Sequence, residues 1–144
     1  MKMKIKGFTL LELIIVIIVI GILASIAMPK YFEVAEKARI AEAKTMLATI
    51  RNSQVRSAAE NGVYVNTTGE LDAGVPDSGK YFEFTVPDSG SVGSPHDTVN
   101  DILGTATRIE SSSKYGAYQV DIYEDGVLNA TDVDGTGNDA GDML

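Results

Sequence analysis

From residue 7 to residue 29 the chain reads GFTLLELIIVIIVIGILASIAMP, an apolar run interrupted by one charged side chain, Glu12. A Leu, Ile and Val segment of this length meets the roughly 20-residue requirement for a helix that crosses a bilayer, where backbone polar groups must be satisfied internally. No small domain buries such a run on all sides, so it needs lipid or neighbouring helices around it. An ionised carboxylate in that setting costs about 2.5–3.5 kcal/mol on insertion scales, and it normally has a partner or faces a polar cavity. Position alone leaves two readings of Glu12: an interfacial carboxylate that snorkels to the headgroups, or one half of a buried pair.

Lys2, Lys4 and Lys6 precede the run. They hold its start on the cytoplasmic side and predict a single pass with the amino terminus in and the carboxyl terminus out. A secretory signal shares the charged start, and Ser25-Ile26-Ala27 offers it small residues for a cut site. Such a signal has an apolar core of only about 7–15 residues, and it gives no role to Gly7, Phe8 or Glu12.

Gly7-Phe8-Thr9-Leu10-Leu11-Glu12, with lysines before it and a long apolar run ending at Pro29 after it, resembles the class III leader of type IV pilins and type II secretion pseudopilins. The resemblance is close through the apolar run, looser over the next helix, and not diagnostic beyond. It implies that a prepilin peptidase cleaves after Gly7 at the cytoplasmic face and that the new amino terminus on Phe8 is N-methylated. The apolar helix is then retained. It implies further that Glu12 neutralises the amino terminus of a neighbouring subunit, so that both charges are buried in a homo-oligomeric helical filament. The partners implied are the peptidase, an ATP-driven inner-membrane assembly platform, and membrane lipid before assembly. The destination is an extracellular or periplasmic filament. Breaking one half of a buried pair costs roughly 3–5 kcal/mol, which makes Glu12 a device for fixing register.

At 144 residues the chain allows one domain plus an anchor. It has no cysteine, so no disulfide and no thiol chemistry is open to it. Many pilins close a C-terminal loop with a disulfide, and this chain departs from that pattern. The net charge is -8, and loss of the leader lysines makes the mature chain 3 units more negative before the new amino terminus is counted. Residues 30–56 carry six basic and three acidic side chains, whereas from residue 57 onward three basic residues oppose sixteen acids. Opposed regions of this kind attract their counterparts in neighbouring subunits, or the acidic surface serves solubility alone. Direct nucleic acid binding needs a clustered basic surface and is not expected. No Ser/His/Asp, Cys/His or metal-catalysis constellation is visible, so an enzyme is not expected.

Pro29 falls inside a pattern that remains helical, which predicts a kink or local melting, and Gly21 is a second weak point. From residue 31 to 60 an apolar stripe runs through Ala35, Ala38 or Ala43, Met46 or Leu47, and Ile50. Asn61-Gly62 ends this helix. A helix from residue 8 to 60 would be roughly 80 Å long. Residues 62–79 read as a connecting loop. Strands are predicted at 81–86, 105–110 and 118–123, with a fourth at 127–128 after the Glu124-Asp125-Gly126 turn. The loop 87–100 holds His96, read as a solvent-exposed histidine. Asn66-Thr67-Thr68 and Asn129-Ala130-Thr131 match the glycosylation triplet, a short and weakly specific pattern.

The predicted fold is therefore α+β and pilin-like: a long amino-terminal helix, its hydrophobic half protruding, packed on a small antiparallel sheet. Residues 1–7 form the leader, 8–29 the transmembrane and filament-core helix, 30–61 an amphipathic helix, and 62–144 an extracytoplasmic β domain with an acidic, Gly/Asp-rich tail. In that tail Asp132, Asp134, Asn138 and Asp139 cluster oxygen donors suited to a structural calcium ion. The match to an EF-hand loop is partial, since Thr136 stands at the fifth position and Met143 replaces the glutamate at the twelfth. A calcium loop would resemble the major pseudopilin and replace the missing disulfide. Function is read as a type IV pilus subunit, with a type II secretion pseudopilin as the alternative.

Overall fold

The structure is a computed structural model that describes residues 7–87, 101–109, 116–133 and 144. It divides into two compact units, Met1–Glu36 and Lys37–Leu144. One helix, α1 (Leu10–Asn61, 52 residues), contributes to both.

From residue 13 to 28 α1 is apolar on every side rather than along one stripe, the pattern of a helix surrounded by a large core or by a membrane. Every side chain from residue 7 to 32 is exposed, Phe8 at 85 %. The helix is long and apolar enough to cross a membrane. The helix runs without interruption through Pro29.

In the second unit α1 becomes one-sided. Ile40, Ala43, Leu47, Ile50 and Gln54 are all buried, at spacings of three and four residues, and the spacing reaches back to the buried Glu36. The predicted stripe has Ala43, Leu47 and Ile50 in common with it, whereas Ala38 is exposed and Ile40 takes the core position. Gly62 closes the helix in the left-handed conformation (φ 75°), its N–H donating to the Ala58 carbonyl at 2.9 Å.

Among the described residues four strands form an antiparallel sheet: β1 (Phe82–Thr85), β2 (Ile102–Arg108), β3 (Tyr118–Tyr123) and β4 (Leu128–Asp132), ordered β1-β2-β3-β4. Register aligns Phe84, Ala106, Val120 and Ala130 in one buried row across the sheet. A second row, Gly104, Ile122 and Leu128, lies beneath Ile50. Gly104 is required there because a Cβ at that position would stand 2.8 Å from the Ile50 Cγ2. The outer edge of β1 is paired in turn, with Gly79 N–H donating to the Phe82 carbonyl and Phe84 N–H to the Asp77 carbonyl.

β1 spans Phe82–Thr85 where 81–86 is expected, and two further strands differ more at their ends. β2 starts at Ile102 instead of residue 105, because a bulge between Ile102 and Gly104 buries Leu103 and Gly104 together and breaks the alternation. β4 continues to Asp132 instead of stopping at residue 128: Asn129 and Thr131 face solvent while Ala130 faces the core. The expected loop 62–79 contains a short 3-10 turn (Thr68–Glu70) and two core residues, Leu71 and Val75.

Candidate assembly site at the amino-terminal helix

Gly7, Phe8 and Thr9 precede the first helical residue, Leu10, and are exposed. The Gly7–Phe8 peptide bond thus precedes the helix. Glu12 occupies the first turn of α1. Its carboxylate accepts the Thr9 backbone N–H and the Thr9 hydroxyl, each at 2.9 Å, while the Glu12 N–H donates to the Thr9 Oγ1 at 3.2 Å. This is a reciprocal capping box, which satisfies backbone donors that no helical carbonyl reaches. A negative charge there also complements the positive end of the helix dipole. The expected assembly residues Phe8 and Glu12 therefore fall within one turn of the same helix start. Thr9 joins them unforeseen, although the Thr-x-x-Glu spacing of Thr9-Leu10-Leu11-Glu12 was its signal.

Of the expected calcium donors, Asp132 is half-buried at the end of β4, opposite Tyr118, and Asp134, Asn138 and Asp139 lie outside the described residues, as does His96. Among the described residues no group of three His, Cys, Asp or Glu side chains is placed to hold a metal ion. Asn66 and Asn129 are both exposed.

The described residues of the Lys37–Leu144 unit also form polar clusters. Gln54, fully buried, takes the Val65 N–H on its Oε1 at 2.9 Å and donates from Nε2 to the Val65 carbonyl at 2.8 Å. Arg51 donates to the Glu124 carbonyl from Nε at 2.8 Å and Nη2 at 2.6 Å, fixing the turn between β3 and β4 on the helix. In that turn the Glu124 Oε1 accepts the Tyr64 hydroxyl at 3.0 Å, and burial together with this carboxylate pushes the Tyr64 phenol up to about 12. Asp72 accepts the Ser53 hydroxyl and pairs with Arg56, which hold its carboxyl below the ordinary range. Around Tyr81 three cations gather, and the Lys80 ammonium, with Arg39 behind it, lowers the phenol.

Against known proteins, residues 2–28 match the family model of the prokaryotic N-terminal methylation motif. The chain is 28% identical over 143 residues to the type IV major pilin protein PilE of Neisseria gonorrhoeae, covering 93% of this chain and 86% of that one. It is 35% identical over 81 residues to the type IV major pilin protein PilA of Myxococcus xanthus, covering 56% of this chain but only 36% of that protein. Over 70 residues it is 37% identical to the type II secretion system core protein G of Vibrio cholerae, about half of each chain. Motif, long helix with antiparallel sheet, and relatives together make the chain similar to the type IV pilins and pseudopilins.

Proposed function

We propose that the chain is the structural, non-enzymatic subunit of a type IV pilus and that it assembles through the exposed apolar part of α1. The observation that carries this reading is the capped helix start, with Glu12 in its first turn, leading a helix that presents apolar side chains on all faces. Before assembly the helix resides in the inner membrane, and Thr9 supplies the Glu12 carboxylate with two hydrogen bonds. Hydrolysis of the Gly7–Phe8 amide by a prepilin peptidase leaves a carboxylate on Gly7 and a protonated amine on Phe8. N-methylation of that amine keeps its charge. The Glu12 carboxylate then has a cationic partner in a neighbouring copy, and the two charges enter the filament core as a pair. Pro29 lacks the N–H that would hold the preceding turn, so α1 melts there first if the filament stretches or tilts it.

A pseudopilin of a type II secretion system is the second reading, favoured by the match to the Vibrio core protein G. A structural calcium ion on Asp132, Asp134, Asn138 and Asp139 belongs with it. Calorimetry and melting of the protein with added calcium test the ion, and neither heat nor a shift would dismiss it. The two filament readings separate on deletion of the gene: loss of long surface fibres marks a pilus, whereas a secretion defect without fibres marks the rival. The intact mass of the membrane-extracted protein should show loss of residues 1–7 and gain of one methyl group.

A further inference from the structure

After Glu12 the next charged side chain of α1 is Lys30, and every residue between them is uncharged. The rise of the helix sets Glu12 and Lys30 roughly 27 Å apart along its axis. That separation is close to the ~30 Å hydrocarbon thickness of a bilayer. Both ends of the uncharged run can therefore sit at a membrane boundary at the same time. Their chemistry differs. At the first end the Glu12 carboxylate is held by Thr9. At the second, Lys30 is followed at once by Tyr31 and Phe32.

Tyr31 and Phe32 are 71% and 54% exposed, and their rings meet edge to face, with centroids 6.1 Å apart and planes at 69°. The hydrophobic core does not use them, since its row on α1 starts at Ile40. Two exposed rings side by side are poorly placed in water. The hydrocarbon centre does not suit them either, because the charged residues of the helix begin beside them. Aromatic side chains with a polar tip collect at the headgroup level, where the ring lies against the acyl chains and the hydroxyl reaches water. Lys30 and Glu33 flank the rings and pair with each other at 3.4 Å. With Lys30 partnered in this way, the rings rather than a free charge make the contact with lipid, and the exposed ion pair marks where water begins.

We infer that Tyr31 and Phe32 anchor α1 in the headgroup layer of the membrane face opposite the amino terminus, and so set the depth at which the chain waits for assembly. The inference rests on the proposed residence of α1 in the membrane and adds to it the residues that fix its depth. With this end held, Glu12 falls at the other boundary instead of the hydrocarbon centre, and its charge reaches headgroups and water. Of the two positions open to Glu12, the interfacial one then belongs to the membrane state and the paired one to the filament.

The full-length chain has no cysteine, so a single thiol can be introduced without background. The chain carrying Ile20→Cys or Ala27→Cys is labelled with an environment-sensitive fluorophore and reconstituted in phosphatidylcholine vesicles that hold a nitroxide either near the headgroup or near the end of the acyl chain. The ratio of quenching by the two lipids reads the depth of the label. The Ile20 label should be quenched more by the chain-end nitroxide, as a spanning helix requires, and the Ala27 label more by the nitroxide near the headgroup. Tyr31→Leu with Phe32→Leu keeps the apolar surface but removes the preference for the headgroup layer. It should move the Ala27 label inward by roughly 3 Å, about half a helical turn. Tyr31→Trp with Phe32→Trp should leave the label in place. An Ala27 label at unchanged depth in the leucine variant, or displaced as far in the tryptophan variant, would overturn the anchor and leave the spanning helix standing. An Ile20 label that the chain-end nitroxide does not quench would overturn the membrane reading and the anchor with it.

Discussion

On the proposed assembly Glu12 is satisfied twice, and the residue that accounts for the first time is Thr9. The capping box gives the carboxylate two donors before any neighbouring subunit arrives. Glu12→Leu should therefore still insert and be cleaved, yet assemble poorly, since the neighbour's buried amine would lose a partner worth roughly 3–5 kcal/mol. Mass spectrometry of the extracted protein beside the yield of sheared filaments checks this, and normal yield would sink the pairing. Thr9→Ala should have a smaller effect, about 1 kcal/mol at the helix start, with Thr9→Ser restoring filament yield because its hydroxyl makes the same bonds. Gln54 is the comparable residue in the globular unit. Gln54→Ala leaves the Val65 N–H and carbonyl without their partner and should cost about 1–3 kcal/mol, read as a lower melting temperature. Glu12 stood out in the sequence because a charge in an apolar run has few explanations. Gln54 did not, because a polar residue on a core stripe is visible only once the spacing of Ile40, Ala43, Leu47 and Ile50 is known to continue through it.

The elements themselves were largely legible, and where they were not the causes are physical. β3 was predicted at its observed bounds because Tyr118, Val120 and Ile122 alternate cleanly with polar neighbours. β2 was displaced because its bulge puts two consecutive residues, Leu103 and Gly104, into the core. β4 was cut short because its polar positions are the solvent face of an edge strand. β2 lies close to the helix at Gly104, the residue that permits the approach. Gly104→Ala should destabilise the fold by about 1–3 kcal/mol through overpacking against Ile50. Ile50→Ala alone should also destabilise it by opening a cavity, roughly 2–5 kcal/mol. In the double variant the clash with Cγ2 is gone, so the loss should be less than the sum of the two. Thermal melting of all four proteins closes that cycle, and strict additivity would show that the contact does not decide the spacing.

For the whole molecule, the division between an anchor with no buried side chains from residue 7 to 32 and a globular unit containing the core predicts that the two can be separated. A chain starting at residue 30 keeps the Lys37–Leu144 core and loses the apolar helix, so it should be soluble and melt in one transition. Its stability at high pH should then report the contact between Tyr64 and Glu124. Folding raises the Tyr64 phenol from 10.0 to about 12, because burial and the Glu124 carboxylate both disfavour the phenolate. The folded state therefore binds this proton more tightly than the unfolded chain does. The resulting stability is fully present below pH 10 and is lost as the pH rises toward 12. Tyr64→Phe removes both the hydrogen bond and the titration. At pH 7 it should be less stable than the unmodified domain, and above pH 10 the difference should shrink as the unmodified domain ionises. Melting temperatures of the two proteins between pH 7 and 12 check this, and curves that stay parallel across the range would show that the hydroxyl does not hold the turn.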